Sequence, residues 1–172
     1  MTLLVLSDSH GRFDKIKEAF DLNRGVLAVL FLGDGLRDVE RVDFLHKPVI
    51  SVRGNCDTFG FFADSLPQEE RMVRFGEYNI MLMHGHRFSV KGSLDTAMAY
   101  AARRGADILL FGHTHIRYDK YFAEGTELGG EILKKPLRVF NPGSIGAPRE
   151  SGYSFGLIGI RGKDVLTSHG EL

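Results

Sequence analysis

The chain has 172 residues, 22 basic side chains against 22 acidic ones, and a single cysteine. That length suits one domain burying roughly two-thirds of its unfolded surface, with no need of a disulfide or structural metal to fold. Balanced charge gives no sign of nucleic-acid or membrane binding through bulk attraction, and the lone Cys56 excludes an internal disulfide framework, which fits a reducing compartment such as the cytoplasm.

Leu3-Leu4-Val5-Leu6 predicts a short buried strand that stops at Ser7-Asp8, too soon for a signal peptide, and delivers Asp8 and His10 together at its end. Gly11 permits a turn into a helix over about 12–23, where Phe13, Ile16, Phe20 and Leu22 have helical spacing. The run from Val26 to Leu32 ends in Gly33-Asp34, and a second helical pattern over 36–45 stops before Pro48. Val49 to Val52 then ends in Arg53-Gly54-Asn55. Strand, helix and strand in alternation predict parallel pairing with right-handed crossovers, which puts successive carboxyl ends on one rim.

From Arg53 to Pro67 no periodicity is clear, and the segment reads as an ordered loop whose Phe59, Phe61 and Phe62 are core, pocket lining or a subunit contact. Arg71–Phe75 and Tyr78–Met83 flank Gly76-Glu77 as a hairpin, and the second strand ends in His84-Gly85-His86. A third helix over about 93–104 carries Leu94, Ala97, Met98 and Ala101 on one face. Ile108 to Phe111 ends in Gly112-His113-Thr114-His115. Beyond it the pattern is strand-rich, over 118–122, 137–140, 153–160 and 164–168, with 125–135 a hairpin loop or mobile tip. No apolar stretch approaches the ~20 residues of a membrane helix.

Five apolar strands thus end in Asp8, His10, Asp34, Asn55, His84, His113 and His115. Carboxylate, amide oxygen and imidazole without thiolate suit manganese, iron, cobalt, nickel or zinc. Seven ligands exceed what one ion with open positions accepts. If one carboxylate bridges, they divide into two sites ~3.5–4 Å apart, the arrangement that clamps a phosphoryl group and activates water for in-line attack.

Asp8-x-His10, Gly33-Asp34, Gly54-Asn55, His84-Gly85 and Gly112-His113-x-His115, in that order, resemble the calcineurin-like metallophosphoesterase family over nearly the whole chain. Its small single-domain phosphodiesterases are the nearest in pattern, through the openings Ser7-Asp8-Ser9-His10-Gly11 and Arg53-Gly54-Asn55-Cys56-Asp57 and the loop Asn141-Pro142-Gly143-Ser144. The resemblance implies an α/β fold, a four-layer α/β/β/α sandwich of two mixed β-sheets flanked by helices, as one metallophosphoesterase domain over residues 1–172. It implies two divalent metal ions, manganese foremost, with nickel, iron, cobalt or zinc as alternatives. Asp8, His10 and His115 would hold one ion, Asn55, His84 and His113 the other, and Asp34 would bridge them. A metal-bridging hydroxide would then hydrolyse a small phosphoester, a diester above all.

Most members of the broader family carry a histidine where Cys56 stands. A thiol of ordinary pKa near 8.5 supplies no imidazolium charge, so modest turnover and a preference for diesters over monoesters are expected. His86 reads as supporting or substrate-facing, while His46 and His169 read as ordinary surface residues. Asp57 either accepts the free ring N–H of His84 or caps its own loop. Arg12, Arg53, Arg87 and Arg149 lie near motifs and are candidates for phosphate, Arg53 first among them. Asn141–Ser144 is a tight turn that the resemblance brings near the site in a minor supporting role. A homodimer is compatible with the sequence. The rival readings are a protein-interaction scaffold of the same fold, against which His10 and Asn55 both argue, and a phosphomonoesterase.

Overall fold

The computed structural model describes residues 1–57, 66–150 and 152–172, so Phe59, Phe61 and Phe62 lie outside the described residues. Two five-stranded mixed sheets face each other. The first joins β1 (Thr2–Leu6), β2 (Ala28–Phe31) and β3 (Val49–Ser51) in parallel, and β11 (Ser154–Arg161) and β12 (Asp164–Glu171) extend it antiparallel beyond β1. In the second, β5 (Tyr78–Met83), β6 (Ile108–Phe111) and β10 (Leu137–Pro142) run parallel, with β4 (Glu70–Phe75) and β7 (Arg117–Phe122) as antiparallel edges. A small hairpin of β8 (Glu127–Leu128) and β9 (Glu131–Ile132) occupies the segment read as a loop or tip.

The uninterrupted apolar runs follow from burial on both faces of each sheet. Along β1, Leu3 and Val5 enter the core between the sheets, while Leu4 and Leu6 turn outward onto α1 (Phe13–Leu22), meeting Ile16, Ala19 and Phe20. The same alternation on β6 sends Ile108 and Leu110 inward, and Leu109 and Phe111 toward α3 (Asp95–Arg103). Ala97 and Ala101 on α3 are fully buried, and their small side chains bring the helix close to the sheet. The layers are therefore helix, sheet, sheet, helix, as the family resemblance implies.

One element is much shorter than its pattern. The helix expected over 36–45 is a single turn, α2 (Leu36–Val39). The Asp43 carboxylate accepts the Leu45 N–H at 2.8 Å, an Asx turn that competes with helical bonding, and Leu45 and His46 follow at positive φ. Apolar spacing persisted because Val42 and Phe44 still pack on α1's side of the first sheet.

Candidate metal centre

Parallel strands of both sheets deliver their carboxyl ends to one rim. Asp8, His10, Asp34, His113 and His115 all sit just past a strand in the left-handed region, with φ of 57, 44, 58, 68 and 62°. Aspartate and histidine tolerate that conformation better than most residues, and it turns each side chain sharply off the strand direction. Non-glycine residues held there cost about 1–3 kcal/mol each and cluster at functional sites. The turns also approach closely: a Cβ on Gly54 would lie 2.1 Å from Asp34 Oδ1, and one on Gly33 would lie 2.5 Å from the Gly54 nitrogen. These two glycines are there so that the second and third motifs can touch.

Six of the seven candidate ligands converge in two groups. In the first, Asp8 Oδ1 lies 3.2 Å from His115 Nε2 and 3.8 Å from His10 Nε2, and the two imidazole nitrogens face each other at 3.2 Å. In the second, Asp34 Oδ2 lies 3.3 Å from His84 Nε2, which faces His113 Nδ1 at 3.1 Å. Asp34 Oδ2 also lies 3.9 Å from His10 Nε2, between the groups. Asn55 is exposed, and its amide donates to Cys56 Sγ at 3.3 Å.

The tautomers of two rings follow from their carbonyl partners. His84 Nδ1–H donates to the Leu32 carbonyl at 2.7 Å and His115 Nδ1–H to the Ala147 carbonyl at 2.6 Å, so each neutral ring turns an Nε2 lone pair inward. Such an outward hydrogen bond is the usual support of a metal-binding imidazole. Asp8 Oδ2 accepts the Ser7 hydroxyl and, at 3.0 Å, the His113 N–H, which ties the two sheets together. Its other oxygen, Oδ1, is fully buried and has no hydrogen-bond partner, although three imidazole nitrogens surround it. A buried, unpaired carboxylate oxygen is costly unless a cation completes it.

The electrostatics ask for positive charge. Burial alone would raise the Asp34 pKa, but the His84 imidazole and the Cys56 N–H outweigh it and hold this carboxyl well below the usual range. Burial opposes charge on His84, yet Asp34 and Asp8 prevail and raise its pKa. Burial and the neighbouring His84 push His113 down to about 4, whereas the nearby Asp8 carboxylate raises His115. Divalent cations held among these carboxylates would answer that demand and leave the imidazoles neutral. Partial desolvation, followed by the Asp34 carboxylate, pushes the Cys56 thiol up to about 11.

Asp57 caps its loop and does not touch His84. Its Oδ2 accepts the N–H groups of Asp34 and Gly54, both at 2.8 Å, and its Oδ1 accepts those of Gly35 at 2.8 Å and Leu36 at 3.0 Å. One buried carboxylate thereby clamps the second motif to the third. One support escaped the sequence reading. Asp38 is 6% exposed and accepts the Ser9 hydroxyl at 2.6 Å and the Gly11 N–H at 2.7 Å, pinning the first motif to α2; its only sequence signal is an acid among the apolar positions Leu36 and Val39. Ser144, in the turn expected to play a minor supporting role, donates to the Asp8 carbonyl at 2.7 Å.

Asn141 does more than shape a turn. Its amide donates to the Gly112 carbonyl and to Thr114 Oγ1, both at 3.1 Å, bracing the loop that carries His113 and His115. His169, read as an ordinary surface residue, is half-buried, stacks on Phe140 and lies 2.8 Å from the Asn141 carbonyl through Nε2. His86 lines the second group, its ring 5.5 Å from that of His84, with a buried Nδ1 that lacks a partner. Three of the four candidate arginines are engaged by acids: Arg12 with Asp14, and Arg53 and Arg87 with opposite oxygens of Glu69.

Paired imidazole–carboxylate groups on one rim of an α/β/β/α sandwich have the layout of a metal centre. The chain belongs to the calcineurin-like phosphoesterase superfamily, whose domain model matches residues 1–163. It is similar to the probable metallophosphoesterase YsnB of Bacillus subtilis, 32% identical over 150 residues that cover 87% of this chain and 78% of that one. It is also similar to the phosphodiesterase YfcE of Escherichia coli K12, 27% identical over 189 residues covering 97% and 90% of the two chains. Wild-type Vps29 from Entamoeba histolytica, solved in complex with zinc, shares the fold with a TM-score of 0.71 at 24% identity, over 99% of each chain.

Proposed function

We propose that this chain is one dinuclear phosphodiesterase domain over residues 1–172. Asp8, His10 and His115 hold one divalent ion, His84 and His113 with Asn55 hold the other, and Asp34 bridges them. The observation that carries this reading is the orphaned Asp8 Oδ1, fully buried beside inward-facing imidazole nitrogens. Asn55 is included on its motif, and its support here is that the adjacent Cys56 N–H donates to Asp34 Oδ1 at 2.7 Å, which keeps this turn beside the second group. Bound there, two divalent ions would generate a nucleophile from water near neutral pH and offset charge on the phosphoryl oxygens.

The residues themselves favour a diester. Cys56, unlike an imidazolium, brings no positive charge to a leaving group or to a second phosphoryl anion. Arg53 and Arg87 are both held by Glu69. A diester carries one negative charge fewer than a monoester dianion and needs less of what the site lacks. The likeness to a protein named as a phosphodiesterase supports the same choice. Among the described residues no helix is long and apolar enough to cross a membrane, and we place the enzyme in the cytoplasm.

Protein stripped with chelator is expected to lose hydrolysis of bis-p-nitrophenyl phosphate, and to regain it with manganese at a higher kcat/KM than for p-nitrophenyl phosphate. Metal-loaded protein inert toward every phosphoester would instead favour a scaffold of this fold. Faster monoester turnover would move the assignment to a phosphomonoesterase.

A further inference from the structure

The seven strand-end donors contain no sulfur, yet the fold brings one to them. Cys56 Sγ, an imidazole nitrogen of His10 and a carboxylate oxygen of Asp34 lie within 4.8 Å of one another. This grouping shares His10 with the first ligand group and Asp34 with the second, so it spans the space between them. Cys56 is exposed, which gives an entering ion access to its thiol.

Three observations make this a ligand set rather than a chance approach. His10 Nε2 and Asp34 Oδ2 stand 3.9 Å apart. Donors on one tetrahedral zinc, each about 2.0–2.3 Å from the ion, stand about 3.3–3.8 Å from one another, so small side-chain adjustments suffice. The Cys56 N–H donates to Asp34 Oδ1 at 2.7 Å, which fixes the cysteine backbone beside this carboxylate and leaves Oδ2 for a cation. Asp8 Oδ1, fully buried and without a hydrogen-bond partner, lies 3.8 Å from His10 Nε2 and is a fourth donor directed at the same space. One sulfur, one imidazole nitrogen and two carboxylate oxygens complete a closed tetrahedral set, whereas a metal that reacts keeps a position open. Softness then separates the ions: thiolate selects zinc, while manganese prefers oxygen and binds most weakly of the first-row divalent ions.

We infer that Cys56 sorts the metals at this centre: a thiophilic divalent ion such as zinc binds through Cys56, His10, Asp34 and Asp8 and closes the site to substrate, while manganese leaves the thiol free. As the metal–sulfur bond forms, the thiol proton leaves to solvent and no group is oxidised or reduced. The inference rests on the dinuclear phosphodiesterase reading and adds to that site an inhibition by thiophilic ions.

Thiolate-to-metal charge-transfer absorption tests it, and because Cys56 is the chain's only cysteine the band reports on that residue alone. Metal-free wild type titrated with cobalt(II) or cadmium is expected to develop the band, and Cys56→Ser and Cys56→Ala to bind cobalt without it. A second measurement needs no variant: zinc is expected to shield the wild-type thiol from an aromatic disulfide reagent far more than manganese does. In bis-p-nitrophenyl phosphate turnover, zinc added to manganese-loaded protein is expected to inhibit the wild type about tenfold or more as strongly as Cys56→Ser, since even a residue that only supports a ligand carries ~10–100-fold in metal affinity. No band in the wild type, or equal shielding by zinc and manganese, overturns the inference. Equal zinc inhibition of wild type and variant overturns it as well. A band and zinc shielding in protein that hydrolyses no phosphoester would overturn the phosphodiesterase reading and leave Cys56 a ligand for thiophilic ions.

Discussion

Asp34→Asn is expected to lower bis-p-nitrophenyl phosphate turnover far beyond the ~10–100-fold that loss of a residue supporting a metal ligand costs. The substitution keeps the side chain's shape and leaves an oxygen to accept the Cys56 N–H at the Oδ1 position. It removes the charge that sits 3.3 Å from His84 Nε2 and 3.9 Å from His10 Nε2, between the two ligand groups. An amide also bridges two cations poorly, because its nitrogen is a donor. The circular dichroism spectrum is expected to match that of the wild type, while bound manganese falls by at least one ion per chain. Wild-type turnover and metal content in this variant would remove Asp34 from its bridging role.

Asp57→Ala is expected to be the most destabilising single change at the rim. Asp57 is 5% exposed and satisfies four backbone N–H groups that no other side chain among the described residues reaches. Each buried donor left without a partner costs about 1–3 kcal/mol, and water entering the vacated space recovers part of that. A net loss of about 3 kcal/mol or more follows, which for a chain of this size lowers the melting temperature by roughly 6–12 °C. Released from the clamp, Gly33–Leu36 and the Gly54–Cys56 turn separate, and metal affinity falls with them. Thermal unfolding of the metal-free protein checks this without any contribution from bound ions. A melting temperature within a degree or two of the wild type would show that the clamp does not hold these loops.

Much of the fold and of the candidate ligand set was legible because two signals coincide at each strand end. A short apolar run marks a strand buried on both faces, and an aspartate or histidine directly after it can adopt positive φ as well as bind a cation. Leu3–Leu6 before Asp8 and Ile108–Phe111 before His113 are the clearest cases. What stayed hidden depends on backbone partners, which leave no mark in side-chain spacing. Asp57 could be read as a support for His84 or as a cap because its four partners are main-chain amides. Val42 and Phe44 kept helical spacing past the end of α2, although Asp43 had already bonded the backbone and ended the helix. Asp38 leaves no mark beyond an acid in a helical stretch, because its contacts to Ser9 and Gly11 are made across motifs far apart in the chain.

The central claim is that two ions share Asp34 on this rim. Anomalous scattering from crystals of the protein grown with manganese tests it most directly. The expected map has two peaks per chain, one among Asp8, His10 and His115, the other among His84, His113 and Asn55, with the Asp34 carboxylate touching both. A single peak, or peaks that leave Asp34 uncoordinated, would contradict it.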